Sequence, residues 1–341
     1  MKRIILLVFG IILLALIPVL AGATPAATTV SQFDVIANAA DEYLNDPNPE
    51  LNISSKDLLA AMLADGPYII SNRKPEDYAI GHIPGAVNLP ASVLFKPENL
   101  AKLTKDSKIV PYCYTGHTGS QVTAMLNMCG YDATNLLWGI MGWTKDPNVA
   151  NKQFSNPSTD LPTENTANQL TGTYGLPSID VTSSTSELEI IRIACDNYAT
   201  AGLKNIAAGD LNALITDDDP NNDPIIISVR KAEDYAKGHI PGAVNIAFTS
   251  IAKNENLQKL DPDKEIVVYC YTGRTGSQAT AILNVLGYNA KNLLWGISGW
   301  TTDPVVAAKR FDPDTSVDYP FSTGAGEAVS VPSGDSGGGC G

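Results

Sequence analysis

Residues 112–120 read YCYTGHTGS and residues 269–277 read YCYTGRTGS, one cysteine loop written twice with a single letter changed. In both places an apolar run of β-forming residues leads into the cysteine, KIVPYC at 108–113 and EIVVYC at 265–270. A helix-forming run follows each loop, such as GSQATAILNVLG at 276–287. Short apolar runs alternating with helical stretches predict an α/β fold with a mainly parallel sheet flanked by helices. In such sheets ligand sites form beyond the carboxyl ends of the strands, which is where both cysteines fall.

The repeat extends well beyond the loop. RKPEDYAIGHIPGAVN at 73–88 answers RKAEDYAKGHIPGAVN at 230–245, and NLLWGIMGWTKDP at 135–147 answers NLLWGISGWTTDP at 292–304. From Arg73 to Trp143 the offset is a constant 157 residues. Upstream it shrinks to 153, because the second copy carries extra residues in the polar turn TDDDPNNDP, and such insertions cost little. Further short apolar runs, IISNR at 69–73 and IIISVR at 225–230, read as strands, and SSKDLLAAMLA at 54–64 opens with a Ser-x-x-Asp helix start. The expected organisation is a first domain over 31–150, a polar linker or irregular strap over 151–186, a second domain over 187–315 and a flexible Gly/Ser-rich tail over 316–341.

Before the first domain, Lys2 and Arg3 precede an apolar run from Ile4 to Leu20, and Ala21-Gly22-Ala23 fits a small-x-small cleavage site. We expect residues 1–23 to be a signal peptide cut after Ala23, a periplasmic or secreted mature protein, and no stable membrane insertion after cleavage. The net charge of −13 argues against nucleic acid and anionic lipid as partners. The five cysteines are too few for a disulfide scaffold, contain no C-x-x-C, and stand in no metal-ligand spacing with the three histidines, so neither metal nor cofactor is expected.

The loop itself suggests chemistry. Its glycines open backbone angles denied to other residues, and a tight turn before a helix points N–H groups inward at the positive end of the helix dipole. Cys113 and Cys270, heading such loops, are expected to act as thiolates. Tyr114, Thr115, Gly116, His117, Thr118 and Gly119 form the first candidate binding loop; Tyr271, Thr272, Gly273, Arg274, Thr275 and Gly276 form the second. The hydroxyls of Thr115, Thr118, Thr272 and Thr275 are expected to add donors. The one changed letter, His117 against Arg274, predicts a titratable first loop and a permanently charged second one. Cys129 and Cys195 sit among apolar neighbours and read as packing residues. His82 and His239 lie in glycine- and proline-marked turns and read as backbone ties. Trp138, Trp143, Trp295 and Trp300 read as core or domain-closing aromatics. Asp77 and Asp234 read either as partners of nearby arginines or as solvent-facing.

The order R-x-x-E-D-Y-x-x-G-H-I-P-G-A-V-N, then strand, Cys loop and helix, then N-L-L-W-G with G-W, resembles the rhodanese domain, twice. The resemblance implies a sulfurtransferase in which Cys113 and Cys270 carry persulfides, taking sulfane sulfur from a small anionic donor such as thiosulfate. A thiol, including a protein thiol, or cyanide then accepts it. Arg73 and Arg230 become candidates for orienting substrate, although Ser71 and Ser228 replace the usual carboxylate of the Asp-x-Arg triplet. A non-catalytic carrier of sulfur, selenium or tellurium, or an oxyanion-handling protein, stays open as the alternative; Cys340 on the tail would suit such a hand-over. A phosphatase is disfavoured, because Gly119 and Gly276 stand where a C-x5-R loop needs its arginine.

Overall fold

The computed structural model describes residues 31–326, apart from 48, 65, 153 and 155–159. The expected signal peptide and Cys340 lie outside the described residues. Among the described residues no helix is long and apolar enough to cross a membrane.

Each repeat builds a parallel sheet. The first contains β1 (Asn52–Ile53), β2 (Tyr68–Ser71), β3 (Val87–Asn88), β4 (Ile109–Tyr112) and β5 (Asn135–Leu136). The second contains β6 (Asn205–Ile206), β7 (Ile225–Ser228), β8 (Val244–Asn245), β9 (Glu265–Tyr269) and β10 (Asn289–Leu293). The second sheet is continuous, in the order β6-β10-β9-β7-β8. The first falls into β3-β2-β4 and a separate β1-β5 pair, joined by a single parallel bridge between Ile109 and Ala133. One residue explains the break. Pro111 stands where the second repeat has Val268, and proline has no N–H to give to the ladder.

The expected start signal works as read: Ser54 caps the helix Ser55–Met62, its hydroxyl accepting the Asp57 N–H at 3.1 Å. The helices after the two cysteine loops, His117–Met128 and Arg274–Val285, pack on each other, so the loops meet at the domain boundary. The largest apolar cluster therefore runs through both repeats, with Met125, Leu126, Ile282 and Leu283 fully buried. Two smaller clusters fill the outer faces, one around Trp143 and one around Trp300.

The segment read as a linker or irregular strap packs as a strap, and residues 316–322, read as flexible tail, pack as well. Most of residues 160–183 lie along the second domain: Trp300 Nε1 donates to Pro162 O at 2.7 Å, and Asp160 accepts Thr301 Oγ1 at 2.7 Å, while Val181 and Thr182 bond to Gln32 of the first repeat. Residues 316–322, assigned to the tail, lie along the first domain in the same way. Trp143 Nε1 donates to Pro320 O at 2.9 Å, and Asp318 accepts Thr144 Oγ1 at 3.0 Å. The segment after each repeat thus closes the other repeat. The helices that open the repeats also cross: Gln32–Leu44 sets Asp41 2.6 Å from Lys253, and Glu187–Ala201 sets Asp196 2.8 Å from Lys96.

Candidate active site

Both cysteines follow the carboxyl end of a central strand, β4 or β9. The chain then turns through Gly116 (φ 91°) or Gly273 (φ 88°), left-handed positions that a side chain would strain, and the turn caps the following helix. The turn brings the Gly116 N–H to Cys113 Sγ at 3.1 Å and the Gly273 N–H to Cys270 Sγ at 3.2 Å. Each sulfur therefore sits at a helix N-terminus with a backbone donor aimed at it, an arrangement that favours negative charge on sulfur. A second glycine presses on the loop from behind: a Cβ at Gly139 (φ 58°) would lie 2.5 Å from Cys113 O. The Cys113 and Cys270 carbonyls are latched by the Ile140 and Ile297 N–H groups, both at 2.9 Å. Cys113 is fully buried, whereas Cys270 keeps 3% of its surface.

The changed letter does something other than expected. His117 and Arg274 do not tune separate loops; both are buried where the two loops meet. His117 accepts the Trp295 N–H on Nε2 at 3.1 Å and pairs through Nδ1 with Thr115 Oγ1 at 2.8 Å. Burial, reinforced by the Arg274 charge, holds His117 well below the usual imidazole range, so it is neutral rather than titrating near pH 7. Arg274 reaches the other way, donating to Leu137 O at 2.9 Å and Thr115 O at 2.6 Å, and also to Thr272 O. Its guanidinium lies 3.8 Å from the Trp138 ring centroid and 5.1 Å from that of Trp295. Burial pushes it down to about 9, while both Cys270 and Cys113 pull it up. One cation thus lies within electrostatic reach of both cysteines. Trp295 adopts φ 64°, outside the ordinary range for a bulky residue, and this strained backbone is the one that His117 holds.

Other expectations also change. Arg73 and Arg230 were candidates for orienting substrate, but both are buried and direct their terminal NH2 groups to backbone carbonyls. Arg73 donates to Gly81 O and Val149 O; Arg230 donates to Gly238 O at 2.6 Å and to Val306 O and Asp234 O. They tie the GHIPG turn to the closing stretch of the same domain, at Val149 or Val306. Asp77 and Asp234 neither pair with them through their carboxylates nor stand idle, since they accept the Tyr114 and Tyr271 hydroxyls. Burial, then the Asp234 contact, raises the Tyr271 phenol to about 12. Thr115 is turned to His117, while Thr118, Thr272 and Thr275 remain half-buried on the loops. Gly119 and Gly276 press on the sheet; a Cβ there would lie 2.6 Å from Asn135 Oδ1 or 2.9 Å from Asn292 Oδ1, leaving no room for an arginine. His82 and His239 donate through Nδ1 to Tyr78 O and Tyr235 O at 2.9 Å and stack on those rings.

Several neighbours of the loops escaped the sequence reading. Lys152 and Lys309 set their ammonium groups 4.6 and 4.4 Å from the ring centroids of Tyr114 and Tyr271. Phe311 packs edge-on to Trp138 at 4.9 Å, and Phe154 tilts onto Trp295 at 4.6 Å. Trp138 and Trp295 are half-buried walls of this region, unlike the core residues Trp143 and Trp300. The signal was present: Lys-x-Phe recurs at 152–154 and 309–311 with the same 157-residue offset.

The chain matches the rhodanese-like domain family twice, over residues 55–146 and 207–303. It is 38% identical over 78 residues to the probable adenylyltransferase/sulfurtransferase MoeZ of Mycobacterium tuberculosis, covering 23% of this chain and 20% of that protein. It is 24% identical over 114 residues to the thiosulfate:glutathione sulfurtransferase of Saccharomyces cerevisiae, covering 30% of this chain and 81% of the relative. Among solved structures, SseA of Escherichia coli, a 3-mercaptopyruvate sulfotransferase, aligns over 72% of this chain and 97% of its own, at 18% identity and a TM-score of 0.29.

Proposed function

This chain belongs to the rhodanese-like domain family, carrying that domain twice, and on that footing we propose that it is a thiosulfate sulfurtransferase-like enzyme working through persulfides on Cys113 and Cys270. The observation that carries the reading is the pair of backbone donors, Gly116 N–H and Gly273 N–H, aimed at the two sulfurs from helix N-termini. A thiolate there attacks the outer sulfur of thiosulfate; a Cys–S–S bond forms and sulfite leaves with the electron pair of the broken S–S bond. The N–H groups that held the thiolate are placed to hold the persulfide anion in its turn. An acceptor thiolate or cyanide then attacks the outer sulfur and returns the cysteine thiolate. The two half-reactions give ping-pong kinetics.

Arg274 supplies the positive charge that draws an anionic donor toward both loops, with Lys152 and Lys309 as outer cations. The Lys2–Arg3 start, the Ile4–Leu20 run and Ala21-Gly22-Ala23 support a periplasmic or secreted location. The carrier reading shares the same thiolates and differs in lacking turnover. Intact-mass spectrometry after thiosulfate exposure tests the assignment. Two additions of about 32 Da each, one sulfur atom, are expected, with one lost in Cys113→Ser and one in Cys270→Ser. Cyanide-dependent thiosulfate turnover that survives the double substitution refutes it. Persulfides without turnover favour the carrier.

A further inference from the structure

Two cysteines stand apart from the loops, and the fold brings them together across the repeat boundary. Cys129 ends the helix His117–Met128, its N–H donating to Met125 O at 3.1 Å. Cys195 lies on Glu187–Ala201, the helix that crosses from the second repeat onto the first. Its Sγ lies 4.0 Å from that same Met125 carbonyl, which places both cysteines at one turn of backbone. Burial, and after it the neighbouring Cys129 side chain, raises the Cys195 thiol well above its usual range. Both are thiols in the structure, with 1% and 0% of their surfaces exposed.

The mirror crossing sharpens the point. There the offsets of 157 and 155 residues put Leu286 and Ala40 in the corresponding places, both fully buried. The crossing that already carries the Lys253–Asp41 ion pair has ordinary apolar packing, while the one that carries Lys96–Asp196 has a cysteine on each side. Packing alone is met at both crossings, so it does not account for two facing cysteines at one of them.

We propose that Cys129 and Cys195 form a disulfide that staples the second repeat's first helix to the end of the first repeat's loop helix. The two thiols lose two electrons and two protons, and a disulfide-bearing oxidant is reduced to two thiols, so the exchange balances. Burial places this step during folding, before the helices dock, and afterwards shields the bond from attack by external thiolates. The bond closes a loop of about 66 residues, a length at which a cross-link removes much freedom from the unfolded chain.

The test uses the full chain, refolded with oxidised and reduced glutathione, blocked with N-ethylmaleimide while unfolded, and digested without reductant. A peptide pair linking Cys129 to Cys195 is expected. The oxidised chain should exceed the reduced chain roughly a hundredfold in its folding equilibrium. Cys129→Leu and Cys195→Ala, which copy the mirror crossing and so preserve packing, should fold and lose that difference. The proposal is overturned if the maleimide is found on both cysteines of the oxidised chain, or if either is joined to Cys113, Cys270 or Cys340 instead. It is overturned equally if the two variants keep the wild-type response to reductant. None of these readouts depends on sulfur transfer.

Discussion

Exchanging the two letters that distinguish the loops tests how the repeats are joined. His117→Arg alone puts a second guanidinium beside Arg274, which already draws its partners from backbone carbonyls rather than a carboxylate. Burying a charge without a counter-charge costs about 3–5 kcal/mol. The Trp295 N–H loses its acceptor as well, worth about 1–3 kcal/mol for a buried donor. Close packing leaves little slack, since a Cβ on Gly273 would lie 2.5 Å from His117 Nε2. We therefore expect a loss of at least about 4 kcal/mol, a large share of a typical domain's stability. Arg274→His removes donors from Leu137 O, Thr115 O and Thr272 O and the stack on Trp138, for a loss of about 3–5 kcal/mol.

The double exchange restores one cation and one neutral ring. At position 117 an arginine would find Leu294 O and Thr272 O, the mirror images of Leu137 O and Thr115 O. The double variant should therefore recover about 3 kcal/mol relative to the sum of the singles. Urea unfolding followed by tryptophan fluorescence reads this directly. With an m-value of about 3 kcal/mol/M, the His117→Arg midpoint should fall by more than about 1 M, and the double variant should regain about 1 M. Additive losses within about 0.5 kcal/mol, or a neutral His117→Arg, would refute the account of a single shared cation.

Acid should weaken the fold through His117. Its folded-state pKa lies well below 6.5, so its contribution is complete above the unfolded value and is lost as pH falls below 6.5, at up to about 1.4 kcal/mol per pH unit; urea midpoints from pH 7 to 5 should fall, and His117→Gln should flatten that slope. Ending the chain after Thr315 removes the strap from the first repeat only. The Trp143 N–H loses Pro320 O, and the Tyr319 ring, 5.1 Å from that of Trp143, is lost with it; a loss of about 3 kcal/mol is expected. Hydrogen exchange should quicken around residues 78–86 and 140–144 and stay slow at 235–243 and 297–301, whereas uniform loss of protection would count against the strap's selectivity.

The chain's letters determined the duplicated α/β plan, because strand–cysteine–glycine–helix is a local pattern and a repeat is visible at constant offset. They also located Cys113 and Cys270, since a glycine-turned loop before a helix is built from neighbours in sequence. The helix start at Ser54 was legible for the same reason. What the letters left undecided depends on distant partners. His117 and Arg274 look like two settings of one loop until the repeats dock and bury both at a common point. Arg73 and Arg230 look like substrate groups until the carbonyls of Gly81, Val149, Gly238 and Val306 close round them. Residues 160–183 read as linker or strap, and 316–322 as tail, because their composition is polar and irregular. Their order comes from the other repeat, whose tryptophan N–H groups need a carbonyl that their own repeat does not supply. The nearness of Cys129 and Cys195 is of the same kind: each cysteine is an ordinary apolar position on its own helix, and only the crossing of the helices makes them neighbours.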